Sequence, residues 1–311
     1  IYAHSKMFKL NFSTLFFIVL SMIYRSIKQI QFAEMIDMGG FPVRQPMPTK
    51  QLDRIDPFLL LHHHTGFIAN DTHPREVGVS PHPHRGFSPV TFVFKGDIHH
   101  RDSRGNSAVV KAGGVQWMDA GMGIVHSERP SVSFAKKGGQ QEIVQLWINT
   151  PHAHKMDQPN YQALDEVTFP IISLPEEKGK LAVVAGKYGA LQGPAKSKLD
   201  VLILRGDVLP GATYTIHIPA KYNTIIYILN GSLTINENEH IAGLHLIQFN
   251  NDADNIHFST NQKTQFLVLG GLPLNEPIES YGPFVMTSQT EIMQALRDYQ
   301  MGKMGVLIEE W

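Results

Sequence analysis

Cysteine is absent from the 311-residue sequence. Its absence excludes disulfides, thiolate nucleophiles, iron–sulfur clusters and cysteine-ligated zinc, so a bound metal must use nitrogen and oxygen ligands. It is compatible with a reducing compartment, and we expect a cytoplasmic protein. Charge of one sign is lacking too, because 27 Lys and Arg offset 28 Asp and Glu. Without an overall basic field, we expect no direct binding of nucleic acid.

A long hydrophobic run is also missing. The best candidate lies between Lys9 and Arg25, but polar residues interrupt it, and it falls short of the roughly 20 apolar residues that a membrane span needs. Lys6 and Lys9 imitate the start of a secretory signal, yet no small-residue cleavage site follows. We expect no membrane span. Residues 1–24 are interpreted as an extension outside the fold, either a weak signal or anchor or a stretch upstream of a true start at Met22.

Short apolar runs separated by glycine and proline make up most of the chain, which has 26 Gly and 19 Pro. Runs of β-branched and aromatic residues that end at such turn residues favour many strands, as in a barrel or sandwich. The runs predicted as strands are residues 90–94, 115–118, 143–148, 181–185, 201–204, 214–218, 225–229, 233–236 and 266–269. The sequence therefore predicts an all-β fold.

One short helix is predicted near the C-terminus. Ile292, Leu296 and Tyr299 recur at i, i+4 and i+7, which places them on one helical face. Thr290 is the expected N-terminal cap and Gly302 the expected stop.

An internal repeat divides the chain, whose length already suggests about two domains. Aligning Gly96 with Gly231 superimposes residues 90–95 on residues 225–230. The matched polar positions are His82 with His217, His84 with Pro219, and Glu128 with Ser259. We predict two tandem antiparallel β-barrels, residues 25–170 and 171–311, of which the second has lost the polar residues of the first.

Histidines of the first copy have the spacing of metal ligands. His82 and His84 are one residue apart, so both imidazoles project from the same face of a strand. His126 and Glu128 have the same spacing after a glycine turn. Together the four groups suit Fe(II), with Mn, Ni, Co or Cu as alternatives, and an octahedral ion keeps two open positions. Zinc is less natural, because four protein ligands would close its shell. We predict one metal per chain.

Other histidines are interpreted as structural. His62-His63-His64 is typical of a strand end, where at most two rings share a face, and surface or core roles are favoured. His152-Ala153-His154 is not expected to bind metal. His99 and His100 are assigned to a polar hairpin rim or to contacts behind the ligands, for which Asp97, Asp102 or Asp119 would be acceptors. Arg85 is favoured as an ion-pair residue, and Trp117 and Trp147 as core residues.

Four sequence blocks around these histidines resemble the signature motifs of the pirin family. They are residues 81–87 (PHPHRGF), 100–103 (HRDS), 113–118 (GGVQWM) and 121–128 (GMGIVHSE), and a fifth is 281–286 (YGPFVM). The resemblance covers roughly residues 25–305. It implies a bicupin whose N-terminal barrel binds a non-haem metal, usually iron, at the positions of His82, His84, His126 and Glu128. The C-terminal barrel of such proteins is usually metal-free.

The same resemblance implies two classes of function. Some bacterial pirins are quercetin 2,3-dioxygenases, in which a metal-bound flavonol takes up oxygen, its ring opens and carbon monoxide is lost. In that interpretation Glu128 would also be the base that accepts the flavonol hydroxyl proton. The alternative is a metal-dependent, redox-sensing binding protein that acts with a protein partner as a transcriptional co-regulator. A purely structural metal with an unrelated substrate stays open as well.

Overall fold

The computed structural model describes residues 23–310. Helices in this range are α1 (Val132–Lys137), α2 (Gln289–Gln300) and short 3-10 turns at Pro74–Glu76, His152–His154, Glu166–Thr168 and Pro175–Glu177. The strands of the first half are β1 (Ile27–Phe32), β2 (Glu34–Asp37), β3 (Pro42–Met47), β4 (Phe58–Ile68), β5 (Val79–His84), β6 (Phe87–Lys95), β7 (Asp97–Asp102), β8 (Ser107–Lys111), β9 (Val115–Asp119), β10 (Ile124–Arg129), β11 (Gly139–Asn149) and β12 (Asn160–Leu164). Those of the second half are β13 (Ile171–Ser173), β14 (Gly179–Ala185), β15 (Lys187–Tyr188), β16 (Leu191–Gln192), β17 (Val201–Val208), β18 (Thr213–His217), β19 (Asn223–Asn230), β20 (Ser232–Ile235), β21 (Glu239–Ala242), β22 (His245–Phe249), β23 (Asn255–Ser259), β24 (Thr264–Gly271), β25 (Glu279–Tyr281) and β26 (Phe284–Met286).

Two barrels of the same design follow each other along the chain. The first combines a seven-stranded sheet, β12-β9-β6-β11-β4-β3-β2, with a four-stranded sheet, β5-β10-β7-β8. The second combines β1-β22-β19-β24-β17-β14-β13 with β18-β23-β20-β21. The strand pairs within both are antiparallel. The predicted all-β architecture of two tandem barrels with a C-terminal helix is confirmed, and the repeat extends to the strand order.

The two seven-stranded sheets share a hydrophobic core, which explains why their strands are apolar on both faces. In β19, Tyr227 belongs to the core that also contains Phe92 and Leu146 of the first barrel, whereas its neighbours Ile226 and Ile228 fill the interior of the second barrel. Side chains alternate along a strand, so a strand between two apolar layers has no polar face. The interior of the second barrel is therefore packed with apolar side chains.

The chain ends cross over between the barrels. Strand β1 pairs with β22 of the second barrel, although the sequence division at residue 170 placed it with the first. The buried Arg25 donates to the Tyr222 carbonyl and to the Thr224 hydroxyl, both in the second half. Helix α2, near the C-terminal end of the chain, packs against the first barrel, because Ile292 shares a core cluster with Val125. Each barrel thus includes a piece from the far end of the chain.

Helix α2 begins two residues earlier than predicted. Ser288, not Thr290, is the N-cap, and its hydroxyl accepts from the Glu291 amide. The Glu291 carboxylate in turn accepts from the Thr287 amide and hydroxyl, an arrangement close to a capping box. Gly302 follows the helix with φ of +70°, as expected for a residue after a helix end.

Helices in the described range are all too short or too polar to cross a membrane. The apolar run before Arg25 lies largely outside residues 23–310, so the interpretation of residues 1–24 as an extension stays a prediction.

Candidate metal centre

Strands β5 and β10 bring the three predicted histidine ligands together. The two strands are antiparallel, and His126 lies opposite His82 in the register. Pro81 and Pro83 alternate with the histidines, which the sheet tolerates because β5 is an edge strand with a partner on one side only. His82 and His84 therefore share one face, as predicted, and that face looks across to His126.

The histidine side chains form a cluster with the dimensions of a metal site. One ring nitrogen from each of His82, His84 and His126 lies within 4.8 Å of the others. The ring centroids are 4.4 Å apart for His82 and His126 and 4.9 Å apart for His84 and His126. Both nitrogens of His84, and Nε2 of His126, are buried without a hydrogen-bond partner among the described residues. Buried polar atoms rarely lack partners, so these orphaned nitrogens fit a site that holds a metal ion.

Burial keeps the His84 and His126 imidazoles in the form that binds metals. Desolvation lowers the pKa of His84 well below its ordinary value, and the neighbouring His82 lowers it further. The pKa of His126 is lowered in the same direction, first by burial and then by the other histidines. A neutral imidazole has a free lone pair on one nitrogen, which is the group that coordinates a cation.

His126 is oriented by a second pair of residues behind it. Its Nδ1 lies 3.4 Å from Nδ1 of His100, whose Nε2 lies 2.9 Å from the Asp102 carboxylate. Burial opposes ionisation of Asp102, but hydrogen bonds from His100, Asn106 and the Arg104 amide outweigh it and lower the pKa of the carboxyl. The carboxylate thus accepts from His100 Nε2. When His100 carries no second proton, its Nδ1 can accept from His126 Nδ1, and this arrangement places the His126 proton on Nδ1 and leaves Nε2 for a metal.

Glu128, the fourth predicted ligand, is not part of the histidine cluster. It is buried and lies two residues beyond His126 on β10, but donors from the facing sheet hold its carboxylate. Thr91 donates to Oε1 at 3.0 Å, Gln145 donates to Oε2 at 2.8 Å, and Gln116 also donates to Oε1. The structure therefore brings together three of the four residues. These three hydrogen bonds direct the carboxylate toward the facing sheet, and the role of Glu128 as a metal ligand stays a prediction.

Sequence reasoning missed the donors that hold Glu128. Thr91 lies in the apolar run of β6, and Gln145 lies in the apolar run of β11. A polar residue in an otherwise apolar, buried strand was the available signal, because such a residue needs a hydrogen-bond partner. Both side chains face the barrel interior, where Glu128 is that partner.

A cavity of about 370 Å³ opens beside the cluster. His82, His84, Glu128 and Gln145 line it, together with apolar side chains that include Val43, Leu60, Ile98, Ile143 and Trp147. The Trp147 ring meets His84 edge-on at 5.4 Å and lies against Phe87 at 4.3 Å. Trp147 therefore faces the cavity, not the core predicted for it, while Trp117 is a core residue as predicted. Volume and lining are typical of a site for a small organic molecule.

Other residues of the sequence analysis take structural positions. His152 and His154 are partly exposed and contact Glu291 and Asp157, away from the cluster. Arg85 pairs with Asp298 of α2 at 3.0 Å, in the structural role favoured for it. His100 is fully buried, so it belongs to the contacts behind the ligands and not to a solvated rim.

Gly86, beside the ligand strand, explains how the C-terminal segment can pack here. It has φ of +84°, and a side chain at this position would collide with the Val285 carbonyl oxygen. Lys155 is fully buried at the same point and donates to the carbonyls of Gly86 and Val285. Strand β26 is thereby fixed against the corner between β5 and β6.

Comparison with known proteins assigns the family. Residues 40–148 match the pirin family, and residues 203–305 match the pirin C-terminal cupin domain. The chain belongs to the pirin family. The bicupin architecture implied by the sequence resemblance is thereby confirmed.

Two pirin relatives are named for one activity. A Pseudomonas aeruginosa protein, named provisionally as a quercetin 2,3-dioxygenase, is 38% identical over 265 residues, which are 85% of this chain and 92% of the relative. A crystal structure of quercetin 2,3-dioxygenase from Acinetobacter baumannii is 35% identical, has a TM-score of 0.86, and is matched over 92% of this chain and all of that one.

A more distant solved structure shares the pirin fold. The bacterial pirin YhhW from Escherichia coli, solved in complex with nickel(II), is 18% identical with a TM-score of 0.62. The match covers 79% of this chain and 99% of that one. At this identity the likeness shows the fold alone.

Proposed function

We propose that the protein is a metal-dependent dioxygenase that cleaves quercetin-like flavonols, with Fe(II) as its metal. The observation that carries the proposal is the cluster of His82, His84 and His126, with its orphaned nitrogens, beside an apolar cavity of about 370 Å³. The pirin relatives named for quercetin 2,3-dioxygenase activity support the same reaction class.

The reaction consumes dioxygen as its only oxidant. One flavonol and one O₂ give one ring-opened ester and one carbon monoxide, so both oxygen atoms enter products and no external reductant is needed. When bound, the metal would supply open coordination positions and redox chemistry toward oxygen. The apolar cavity wall excludes water from the reacting atoms, and Trp147 offers an aromatic surface beside His84.

Glu128 has two proposed roles, as the fourth ligand and as the base. Its Oε2 has Gln145 as its donor, and both residues line the cavity where a flavonol hydroxyl would lie. A carboxylate held in this way is positioned to take the hydroxyl proton, which gives the substrate the charge that favours its oxidation. Thr91 and Gln116 restrain the other oxygen, so that the carboxylate keeps one orientation.

Turnover by different metal forms tests the proposal. Iron-loaded protein with quercetin in air should consume oxygen and release carbon monoxide in a 1:1 ratio. Zinc-loaded and metal-free protein should not, because zinc has no redox chemistry. Nickel-loaded protein, compared alongside, tests the assignment of iron. Equal turnover by all forms, or none by the iron form, would contradict the proposal.

A substitution of Glu128 tests its proposed role as the general base. Glu128→Gln keeps the shape of the side chain but removes the proton acceptor, and it should lower kcat by about 100-fold or more. Glu239→Gln, at an exposed position in the second barrel, is the matched control and should leave kcat unchanged. An unchanged kcat in Glu128→Gln would remove this residue from the mechanism.

A further inference from the structure

Two histidines outside the metal cluster also line the cavity. Side chains alternate along β4, so Leu60, His62 and His64 face the cavity. His63 faces the other way, where it contacts Tyr227 of the second barrel and Glu142. The triple-histidine motif thus divides into one residue between the barrels and two residues at the candidate site.

Hydrogen bonds fix which nitrogen of His62 carries the proton. The Gln45 amide nitrogen donates to the Pro48 carbonyl at 2.6 Å, which turns Gln45 Oε1 toward His62. His62 Nε2 lies 2.5 Å from this oxygen, and since an amide oxygen only accepts, Nε2 must carry the proton. Nδ1 of His62 is then left with its lone pair. Burial lowers the pKa of His62 to about 4, so a second proton is absent at neutral pH.

His64 is fixed in the opposite tautomer with the same result. Its Nδ1 lies 2.9 Å from the Pro42 carbonyl oxygen, which only accepts, so Nδ1 carries the proton and Nε2 keeps the lone pair. The ring stacks on Phe41 with a centroid distance of 4.0 Å, which restricts its rotation. Burial also lowers the pKa of His64.

The other residues that line the cavity favour an uncharged hydrogen-bond donor over an anionic group at His62 and His64. His62 lies opposite Gln145 in the register of β4 and β11, and Gln145 is the donor to Glu128. His62, His64 and the candidate catalytic Glu128 therefore line one cavity. Lysine and arginine are missing from the described residues that line it. An anionic group near His62 and His64 would meet lone pairs without a lysine or arginine side chain to compensate its charge.

We propose that His62 and His64 position the substrate by accepting hydrogen bonds from its hydroxyl groups. The ligand class is an uncharged, polyhydroxylated aromatic molecule, which binds the metal through one part and donates hydroxyl protons to the two imidazoles through another. This inference rests on the proposed function for the nature of the substrate, but it concerns binding and not turnover. It makes His62 and His64 specificity residues, not catalytic ones.

Anaerobic binding of two flavonols to the iron-loaded protein tests the inference. Quercetin carries hydroxyls on its outer rings, whereas 3-hydroxyflavone keeps only the chelating hydroxyl and ketone. Wild-type protein should bind quercetin about tenfold more tightly or better, because one hydrogen bond is worth about a factor of ten. In the His62→Phe, His64→Phe double variant, this ratio should fall to near one. A 3-hydroxyflavone with an outer-ring carboxylate should bind wild-type protein more weakly than 3-hydroxyflavone itself.

Two controls separate lost recognition from lost folding. Iron content and the thermal unfolding midpoint report whether the double variant is intact. His62→Gln supplies a donor for Gln45 and an acceptor for the ligand, so it should keep a quercetin preference near that of wild type. If the double variant fails to fold, His62→Phe and His62→Gln are compared with each other instead.

The outcomes for binding and for turnover are distinct. An unchanged quercetin preference in the variants, or none in wild type, would overturn the role of His62 and His64 even if oxygen uptake is observed. Selective binding by wild type that is lost in the variants would support it even if no oxygen is consumed, in which case the proposed dioxygenase activity alone fails.

Discussion

Single polar residues in apolar strands determine the character of the first barrel. Thr91, Gln116 and Gln145 project inward and hold Glu128, whereas apolar side chains such as Ile226 and Phe258 occupy the interior of the second barrel. Because each of these polar groups needs a partner, they cluster with the histidines and leave a cavity instead of a packed core.

The three histidine ligands could be predicted from the sequence, but the orientation of Glu128 could not. The spacing of His82 and His84 determines a shared face in any strand, which is a local property. The direction of the Glu128 carboxylate depends on donors 12 to 37 residues away in sequence, on three other strands. Its role as the fourth ligand stays a prediction.

The contact of His100 with Asp102 gives a prediction about metal affinity. An asparagine at position 102 keeps an oxygen that accepts from the Arg104 amide, but its N–H then points toward His100 Nε2. His100 Nε2 must then accept instead of donate, so the proton of His100 moves to Nδ1. The proton of His126 must consequently move to Nε2, the nitrogen that would bind the metal. We expect Asp102→Asn to weaken metal binding about 10- to 100-fold while the circular dichroism spectrum is unchanged. Competition with a chelator measures the affinity.

The neighbouring His99 offers a matched control for this substitution. Its ring points away from the cluster and contacts the Ser107 hydroxyl, so His99→Asn should leave the affinity as it is. Equal losses in both variants, or none in Asp102→Asn, would show that the tautomer of His126 is not set in this way.

At the scale of elements, the positions of the strands could be predicted from the sequence better than the pairing between strands. Turn residues delimit runs such as residues 225–229, which the structure has as β19, because glycine and proline end strands locally. Strand β1 was not assigned to the second barrel, since its partner β22 lies more than 200 residues away and its own sequence is half exposed. Edge strands with such patterns carry little information about which sheet they join.

The crossover of β1 predicts how N-terminal changes affect stability. A variant that starts at Met22 should keep its fold and its metal content, since it retains Arg25 and β1. Arg25→Ala should lower the free energy of unfolding by about 3 kcal/mol, because several buried acceptors, among them the Tyr222 carbonyl, lose their donor. Thermal unfolding measures both, with the exposed Lys28→Ala as the control. Aggregation of the Met22 variant would mean that the preceding residues cover part of a barrel.

For the whole molecule, the contact between barrels makes stability depend on acidity. Hydrogen bonds from His63 and Lys95 outweigh the effect of burial and lower the pKa of Glu142 from 4.5 to about 2. His63 also contacts Tyr227, so this carboxylate supports the interface between the two barrels. Because the pKa is lower in the folded state, the stabilisation is full above pH 4.5 and is lost as the pH falls from about 4.5 to about 2.

Glu142→Gln tests this dependence. At neutral pH the variant should unfold at a lower temperature than wild type, and the difference should shrink as the pH approaches 2. The exposed Glu239→Gln should follow the wild-type curve throughout. A constant difference between Glu142→Gln and wild type from pH 7 to pH 2 would show that ionisation of this carboxyl does not contribute. The cytoplasmic location expected from the sequence stays a prediction, as does the protein partner that belongs to the alternative function.

Metal content per chain tests the central claim most directly. Elemental analysis of purified protein, loaded with iron and freed of loosely bound ions, should give about one equivalent for wild type and almost none for the His82→Ala, His126→Ala double variant, because two of three clustered ligands are gone. Circular dichroism shows whether the variant has folded. About two tightly bound equivalents in wild type, or unchanged occupancy in a folded double variant, would contradict a single metal centre in the first barrel.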